Sequence, residues 1–274
     1  MTGRVISELF PKVRFAPGEE ALRIEHLSTP NGTVTDASLS VRAGEIVGLA
    51  GLVGSGKSEV MRAAFGIGGM VRMNPFDGSK REVYAVGVRN SVGMDINPKD
   101  KSVWFTDNQT DGMGDDTPPG ELNRISKTGG EHFGYPFIHG NNIQIAGTAA
   151  APDLKDMKAP AAWTKPQIEF PAHQAQLGMT FYNGKQFPAA YQGGAFVAAH
   201  GSWNRTKASG GLINFVSLKA DGTADKSTVF AEGFLDSETG SYRGRPVDVA
   251  VWKDGSLLVS DDYAGAIYRI TYKP

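Results

Sequence analysis

Three stretches of this chain repeat one order of features, and that repetition limits what it can fold into more than any other property. "VGMDINPKDKSVWFTD" (92–107), "LGMTFYNGKQFPAAYQGGAFVAAH" (177–200) and "VDVAVWKDGSLLVSDD" (247–262) share a layout. Each runs as an apolar alternating strand, a turn of Pro, Asn, Asp or Gly, and a second strand ending in a polar residue. A third strand follows each, as "GELNRIS", "GLINFVSL" and "GAIYRITY". Short antiparallel units of this kind bury their faces by stacking on one another, which is how propeller blades are built. The expectation is a mainly β chain whose larger part is a partial β-propeller of about three blades; the alternative is a β-sandwich with coincidental turns. The 35 glycines agree with a turn-rich β protein, being nearly twice the usual share of about 7%. The copies are spaced more widely than the ~40–50 residues of simple blades. Insertions, residues 108–120 among them, are therefore expected at blade edges.

The first quarter of the chain is patterned differently. "LRIEHLS" and "ASLSVRA" alternate as half-buried strands, an "NG" between them signals a hairpin, and "EIVGLA" is a continuous apolar run suited to a buried strand. "GLVGSGKSEV" (51–60) then fits the pattern G-x-x-x-x-G-K-[ST], and Val60, Ala63, Ala64 and Ile67 follow at helical spacing. In a strand, loop, helix context of this kind, Gly51, Gly54 and Gly56 let backbone N–H groups turn inward around phosphate oxygens. Lys57 reaches the terminal phosphates, and the Ser58 hydroxyl can ligate Mg²⁺. A small α/β P-loop fragment with MgATP as its ligand is expected here. The bland alternative is a glycine-rich turn with no ligand.

The run "LRIEHLS…ASLSVRAGEIVGLAGLVGSGKSEVMRAAFGI" resembles the start of the second nucleotide-binding half of ribose- and galactose-type ABC importer ATPases. That likeness stops after about 68 residues. The rest of the chain offers "KASGGLINFV" and "SLLVSDD" where the family needs its signature helix and its apolar run ending in Asp-Glu, and neither has the right context. Hydrolysis of ATP is not expected. The expected layout is a truncated nucleotide-binding fragment over 1–72, a junction over 73–83 and the partial propeller over 84–274.

The longer segment resembles a second family. "VGVRNSVGMDINPKDKSVWFTDNQTDG…ELNRI…GGEHFGYPF", "GMTFYNGKQFPAAYQGGAFVAAHGSWNR" and "GRPVDVAVWKDGSLLVSDDYAGAIYRITY" look like the second half of soluble quinoprotein sugar dehydrogenases of the glucose and sorbosone type. The resemblance implies a six-bladed propeller type holding pyrroloquinoline quinone (PQQ) and Ca²⁺, and a sugar or aldose as substrate. It assigns Arg89 and Asn90 to the quinone, with Arg205 and Arg245 as further cationic contacts. Guanidinium forks and amides suit a tricarboxylate. It also assigns the backbone carbonyls of Asn108, Gln109 and Thr110 to Ca²⁺, a hard cation that takes oxygen ligands. Val247 stands where some members carry another arginine. The family's proton-accepting histidine comes from the first half of the propeller. None of His26, His132, His139, His173 and His200 lies in its context, so no catalytic residue is assigned and dehydrogenation is expected to be slow or absent.

With 28 Lys and Arg against 29 Asp and Glu, the net charge of -1 provides no reason to expect nucleic acid or an anionic membrane as partner. There is no cysteine, which excludes disulfides and thiolate sites. No secretory signal or membrane-spanning run is legible, so the cytoplasm is expected as encoded, although the quinoprotein family is usually periplasmic. Open blade faces make self-association through blade edges an expectation. A β-protein fragment with no surviving ligand is the remaining alternative.

Overall fold

The computed structural model describes residues 18–28, 34–42, 69–74, 80, 82–144 and 159–273. The phosphate-loop residues Gly51, Gly54, Gly56, Lys57 and Ser58 lie outside these. The chain divides into two compact units: residues 1–66 with 71–82, and residues 67–70 with 83–274.

In the first unit, the expected hairpin is present. Strand β1 (Glu20–Leu27) pairs antiparallel with β2 (Ala37–Arg42), Ile24 opposite Leu39, and β2 alternates half-buried and exposed side chains along its length.

The second unit is built from the three repeats. The first blade contains β5 (Ser91–Ile96), β6 (Val103–Asp107), β7 (Gly120–Ile125) and β11 (Ile168–Phe170), in the order β11-β7-β6-β5. The second contains β12 (Gln176–Phe181), β13 (Ala195–Ala199), β14 (Leu212–Leu218) and β15 (Ala224–Ala231), in chain order. The third contains β16 (Pro246–Val251), β17 (Leu257–Asp261) and β18 (Ala266–Ile270). The fourth strands β11 and β15 escape the sequence reading for local reasons. β11 has only three residues, and β15 carries exposed residues in pairs without a strict alternation. A further sheet, ordered β3-β4-β8, comprises β3 (Gly69–Arg72), β4 (Glu82–Val86) and β8 (Glu131–His132), with β4 and β8 parallel. A two-stranded ribbon, β9 (Ile138–His139) with β10 (Ile143–Gln144), leads away from it.

Strand alternation explains the stacking. On β6, Trp104 joins one core with Phe170, Met179, Phe181 and Val197, while Phe105 faces the opposite way into a core with Tyr84, Val88 and Phe133. On β13, Ala195 and Val197 serve the first-to-second blade core; Phe196 and Ala198 serve the second-to-third. β6 and β13 thus each supply two cores, which is the period-2 pattern of a sheet covered on both faces. The initial strands β5, β12 and β16 pack side by side. A Cβ on Gly93 would collide with the Leu177 carbonyl oxygen and one on Gly178 with Asp248, so these two strand-interior glycines permit backbones to approach where no side chain fits.

Candidate functional site

Strand β6 ends in Asp107, which is fully buried. Its Oδ1 accepts a hydrogen bond from Asn90 N at 2.6 Å. Its Oδ2 accepts from Arg89 N and from Gln109 Nε2, each at 3.0 Å. One carboxylate therefore ties the dipeptide entering β5 to the loop leaving β6. Burial pushes the Asp107 carboxyl up to about 6, against those hydrogen bonds and the Arg89 charge, which lower it. The same device recurs in the third blade, where Asp261, at the end of β17, accepts from Arg245 N at 3.0 Å and Ala264 N at 2.8 Å.

Around this anchor, Arg89, Asn90, Asn108 and Gln109 line one cavity of about 220 Å³ at the start of β5 and β12. Asp111, His173, Gln176, Trp203 and Asn204 complete much of its polar wall and rim. Arg89 Nη1 donates to the Asn108 carbonyl at 3.0 Å and Nη2 to Asp111 Oδ2 at 3.3 Å. Asn108 Nδ2 donates to the Gln176 carbonyl at 2.9 Å, fastening the loop to the next blade. Gln176 is fully buried, and neither its amide oxygen nor its amide nitrogen has a partner. Such a buried amide is costly unless something meets it. An oxygen-rich anion could accept from its Nε2 but offers nothing to its Oε1, and the lining of one guanidinium and several amides suits such an anion.

Of the other assigned residues, Thr110 is half-buried and does not line the cavity. Arg205 and Arg245 do not line it either. Arg205 Nη1 donates to the carbonyls of Asp115 and of Ala172, the latter at 3.2 Å, and Nη2 pairs with Asp116 at 3.1 Å. Arg245 donates to the carbonyls of His200 and Gly201 at 3.2 and 2.6 Å and lies over the Tyr242 ring, 4.8 Å from its centroid. Both guanidinium groups act as clasps between loops. The acids of "DGMGDD" are likewise engaged: Asp111 with Arg89 and Asn204, Asp115 with Thr206 N, Asp116 with Arg205. Among the described residues, no group of three or more acidic, histidine or cysteine side chains is placed to hold a metal through side chains.

Sequence reasoning missed a second layer. His139 is fully buried, and its Nδ1 lies 2.7 Å from Gln109 Oε1. That oxygen can only accept, so Nδ1 carries the proton and the Nε2 lone pair faces inward without a partner. Burial first, and the Arg89 charge second, pull this imidazole down to about 4, so it is neutral at pH 7. Glu121, also buried, is pushed up to about 8 by burial and by Asp107. Glu121 accepts from Gly140 N at 2.7 Å and faces the Asn123 amide at 2.9 Å. Rotating that amide by a half turn lets its otherwise unpartnered Oδ1 accept the proton of neutral Glu121. His173 holds Nε2 against the carbonyls of Gly114 and Thr117 at 2.8 and 3.0 Å, which makes Nε2 the donor. One signal was legible: the second strands of the first and third repeats both end in Asp, at 107 and 261.

A stability prediction follows from Glu121. A carboxyl whose folded pKa lies above its unfolded value stabilises fully below the unfolded value of about 4.5, and that contribution is lost as pH rises through about 8. Denaturant midpoints are expected to fall between about pH 5 and about pH 8 in the wild type, and to fall less in Glu121→Gln, which keeps the shape and cannot ionise. Parallel slopes in the two proteins would refute a buried neutral Glu121.

Three stacked blades with a ligand-sized polar cavity at one end define a β-propeller protein. The family model described as TrAA12-like matches residues 49–273, and the chain belongs to that family. The Trichoderma reesei carbohydrate-active enzyme of family AA12 superposes with a TM-score of 0.55 at 23% identity, covering 70% of this chain and 55% of that one. The holo PQQ domain of pyranose dehydrogenase from Coprinopsis cinerea gives 0.51 at 18% identity, covering 73% and 59%. At these identities the likeness establishes the shared fold. An uncharacterised protein of Borreliella burgdorferi is 40% identical over 195 residues, 71% of this chain and 50% of that protein. The chain thus spans about half the length of these relatives. A ribose import ATP-binding protein of Streptomyces coelicolor is 55% identical over 67 residues, 24% of this chain and 13% of that protein.

Proposed function

We propose that the chain is a PQQ-dependent sugar dehydrogenase relative of the sorbosone type, holding the quinone and Ca²⁺ at the cavity beside Arg89 and acting weakly, or not at all, on a small sugar or aldose. The observation that carries this is that Arg89, Asn90, Asn108 and Gln109 line one cavity, with Arg89, Asn90 and Gln109 tied to the single carboxylate of Asp107. Arg89 and Asn90 would hold the quinone's carboxylates, and the backbone carbonyls of Asn108, Gln109 and Thr110 would face Ca²⁺, that of Asn108 exchanging the Arg89 guanidinium it accepts from for the cation. The bound quinone supplies hydride-accepting chemistry that side chains lack. Arg205 and Arg245 are proposed as further cationic contacts to the quinone, although Arg205 is bonded to loop carbonyls and to Asp116 and Arg245 to the carbonyls of His200 and Gly201. The 1–72 segment, the 73–83 junction and the 84–274 propeller remain the proposed layout. Association of copies through open blade faces is part of the proposal: β5 exposes Val92, Met94 and Ile96, and β18 exposes Ile267. Among the described residues no helix is long and apolar enough to cross a membrane.

The likeness to ribose importer ATPases at the phosphate loop favours a second reading, an ATP-binding protein in which Lys57 and Ser58 engage MgATP. Thermal unfolding of the chain alone, with MgATP, and with PQQ plus Ca²⁺ separates the two. A ligand at about 100 times its dissociation constant adds about 2.7 kcal/mol to the folded state, a shift of several degrees. A rise with PQQ plus Ca²⁺ is expected. A rise with MgATP alone would make the phosphate loop the live site, and no rise with either would leave a β protein without these ligands.

A further inference from the structure

The most exposed large apolar side chain among the described residues is Trp203, at 77%, and it stands at the rim of the polar cavity. An indole left in water costs hydration free energy, and a single one on a surface needs no explanation. Its neighbours change that assessment. Ser202 N donates to the Ser209 carbonyl at 2.8 Å, and Ser209 N returns a bond to Ser202 Oγ at 3.0 Å. The Tyr242 hydroxyl bonds the carbonyls of both serines, at 3.2 and 3.0 Å. On the other side, Asn204 Nδ2 donates to Asp111 Oδ1 at 2.7 Å, and Arg205 and Thr206 are tied to the 115–116 segment. The backbone is thus clamped on both sides of an unclamped, solvent-facing ring. Preorganising an aromatic in this way lowers the entropy lost when a ligand lies on it.

We infer that Trp203 is a stacking platform for the apolar face of a pyranose ring, whose hydroxyls turn toward Asp111 and Asn204 at the cavity rim. A pyranose has two chemically different sides. Its axial C–H groups form an apolar patch that packs on an aromatic face, and its equatorial hydroxyls need donors and acceptors around the edge. An exposed indole beside a cavity lined by a guanidinium and amides offers both. This assignment rests on the sugar-directed reading of the cavity and names the residue that selects the substrate's ring face.

The test is saturation-transfer difference NMR of methyl β-D-glucopyranoside with the full chain, as wild type, Trp203→Ala and Trp203→Tyr. It is read together with the PQQ plus Ca²⁺ thermal shift of each protein. The wild type is expected to saturate the axial ring protons most strongly. Trp203→Ala should bind the glycoside about five- to tenfold more weakly, the size of one aromatic contact, and Trp203→Tyr should recover part of the loss. The PQQ plus Ca²⁺ shift should be the same in all three. Equal saturation in wild type and Trp203→Ala would overturn the platform, as would absence of any glycoside signal in the wild type. Loss of the quinone shift in Trp203→Ala with glycoside binding intact would overturn it in favour of cofactor stacking. A wild type that binds the glycoside on Trp203 but gives no quinone shift would uphold the platform while refuting the quinone reading.

Discussion

Asp107→Asn is expected to destabilise the chain by about 2–4 kcal/mol and to abolish its response to PQQ plus Ca²⁺. The substitution preserves shape but replaces one acceptor oxygen with a donor. Asp107 receives three donors, Arg89 N, Asn90 N and Gln109 Nε2, at 2.6 to 3.0 Å in a fully buried position. Either orientation of the asparagine amide points an N–H at another N–H in a fully buried position. The turn before β5 and the loop after β6 then lose their common anchor, and the cavity they line opens. Asp261→Asn is the control, because Arg245 N and Ala264 N both donate to Asp261 Oδ1, which an asparagine keeps as an acceptor, and the position lies away from the cavity lining. Urea unfolding should register the larger cost for Asp107→Asn, and only Asp107→Asn should lose the ligand-induced thermal shift. Retention of that shift by Asp107→Asn would remove Asp107 from its anchoring role.

The second large effect lies in the core between the second and third blades. Phe196→Ala is expected to cost about 3–5 kcal/mol, a large share of the ~5–15 kcal/mol by which a domain of ordinary stability is held folded. Phe196 is fully buried and its ring centroid lies within 6.0 Å of five others, those of Tyr182, Phe187, Tyr191, Phe215 and Phe230. Removing it leaves a cavity that rings held on four separate strands and turns cannot all close. The denaturant midpoint should fall while the slope of the transition stays constant. A loss below about 1 kcal/mol would mean that this aromatic cluster relaxes freely and that the blades are not locked together there.

Much of the architecture could be read from residue order. Alternation in "VGMDI", "LGMTF" and "VDVAV" marked the initial strands, and the turns "NPKD" and "KDGS" marked the ends of the hairpins, because strand period and turn chemistry are local properties. The β1–β2 hairpin was legible for the same reason. The assignment of Arg89, Asn90, Arg205 and Arg245 to a quinone and of Asn108, Gln109 and Thr110 to Ca²⁺ came from a family likeness; of these, Arg89, Asn90, Asn108 and Gln109 line one cavity. Arg205 and Arg245 lie outside that cavity lining and donate to loop carbonyls. Whether a guanidinium faces a ligand or a carbonyl depends on where neighbouring loops pass, and for Arg205 that neighbour lies about 90 residues away.

What the sequence determined by itself is therefore the repeat and the strand faces. Those follow from side-chain period and turn chemistry. Tertiary structure alone decided that Asp107 is an anchor rather than a surface acid. It also decided that His139 and Glu121 are neutral in the folded chain, and that Trp203 is held at a rim. Burial, desolvation and hydrogen-bond partners arise only when segments distant in sequence pack together, and these three set the charge and orientation of every group at the cavity.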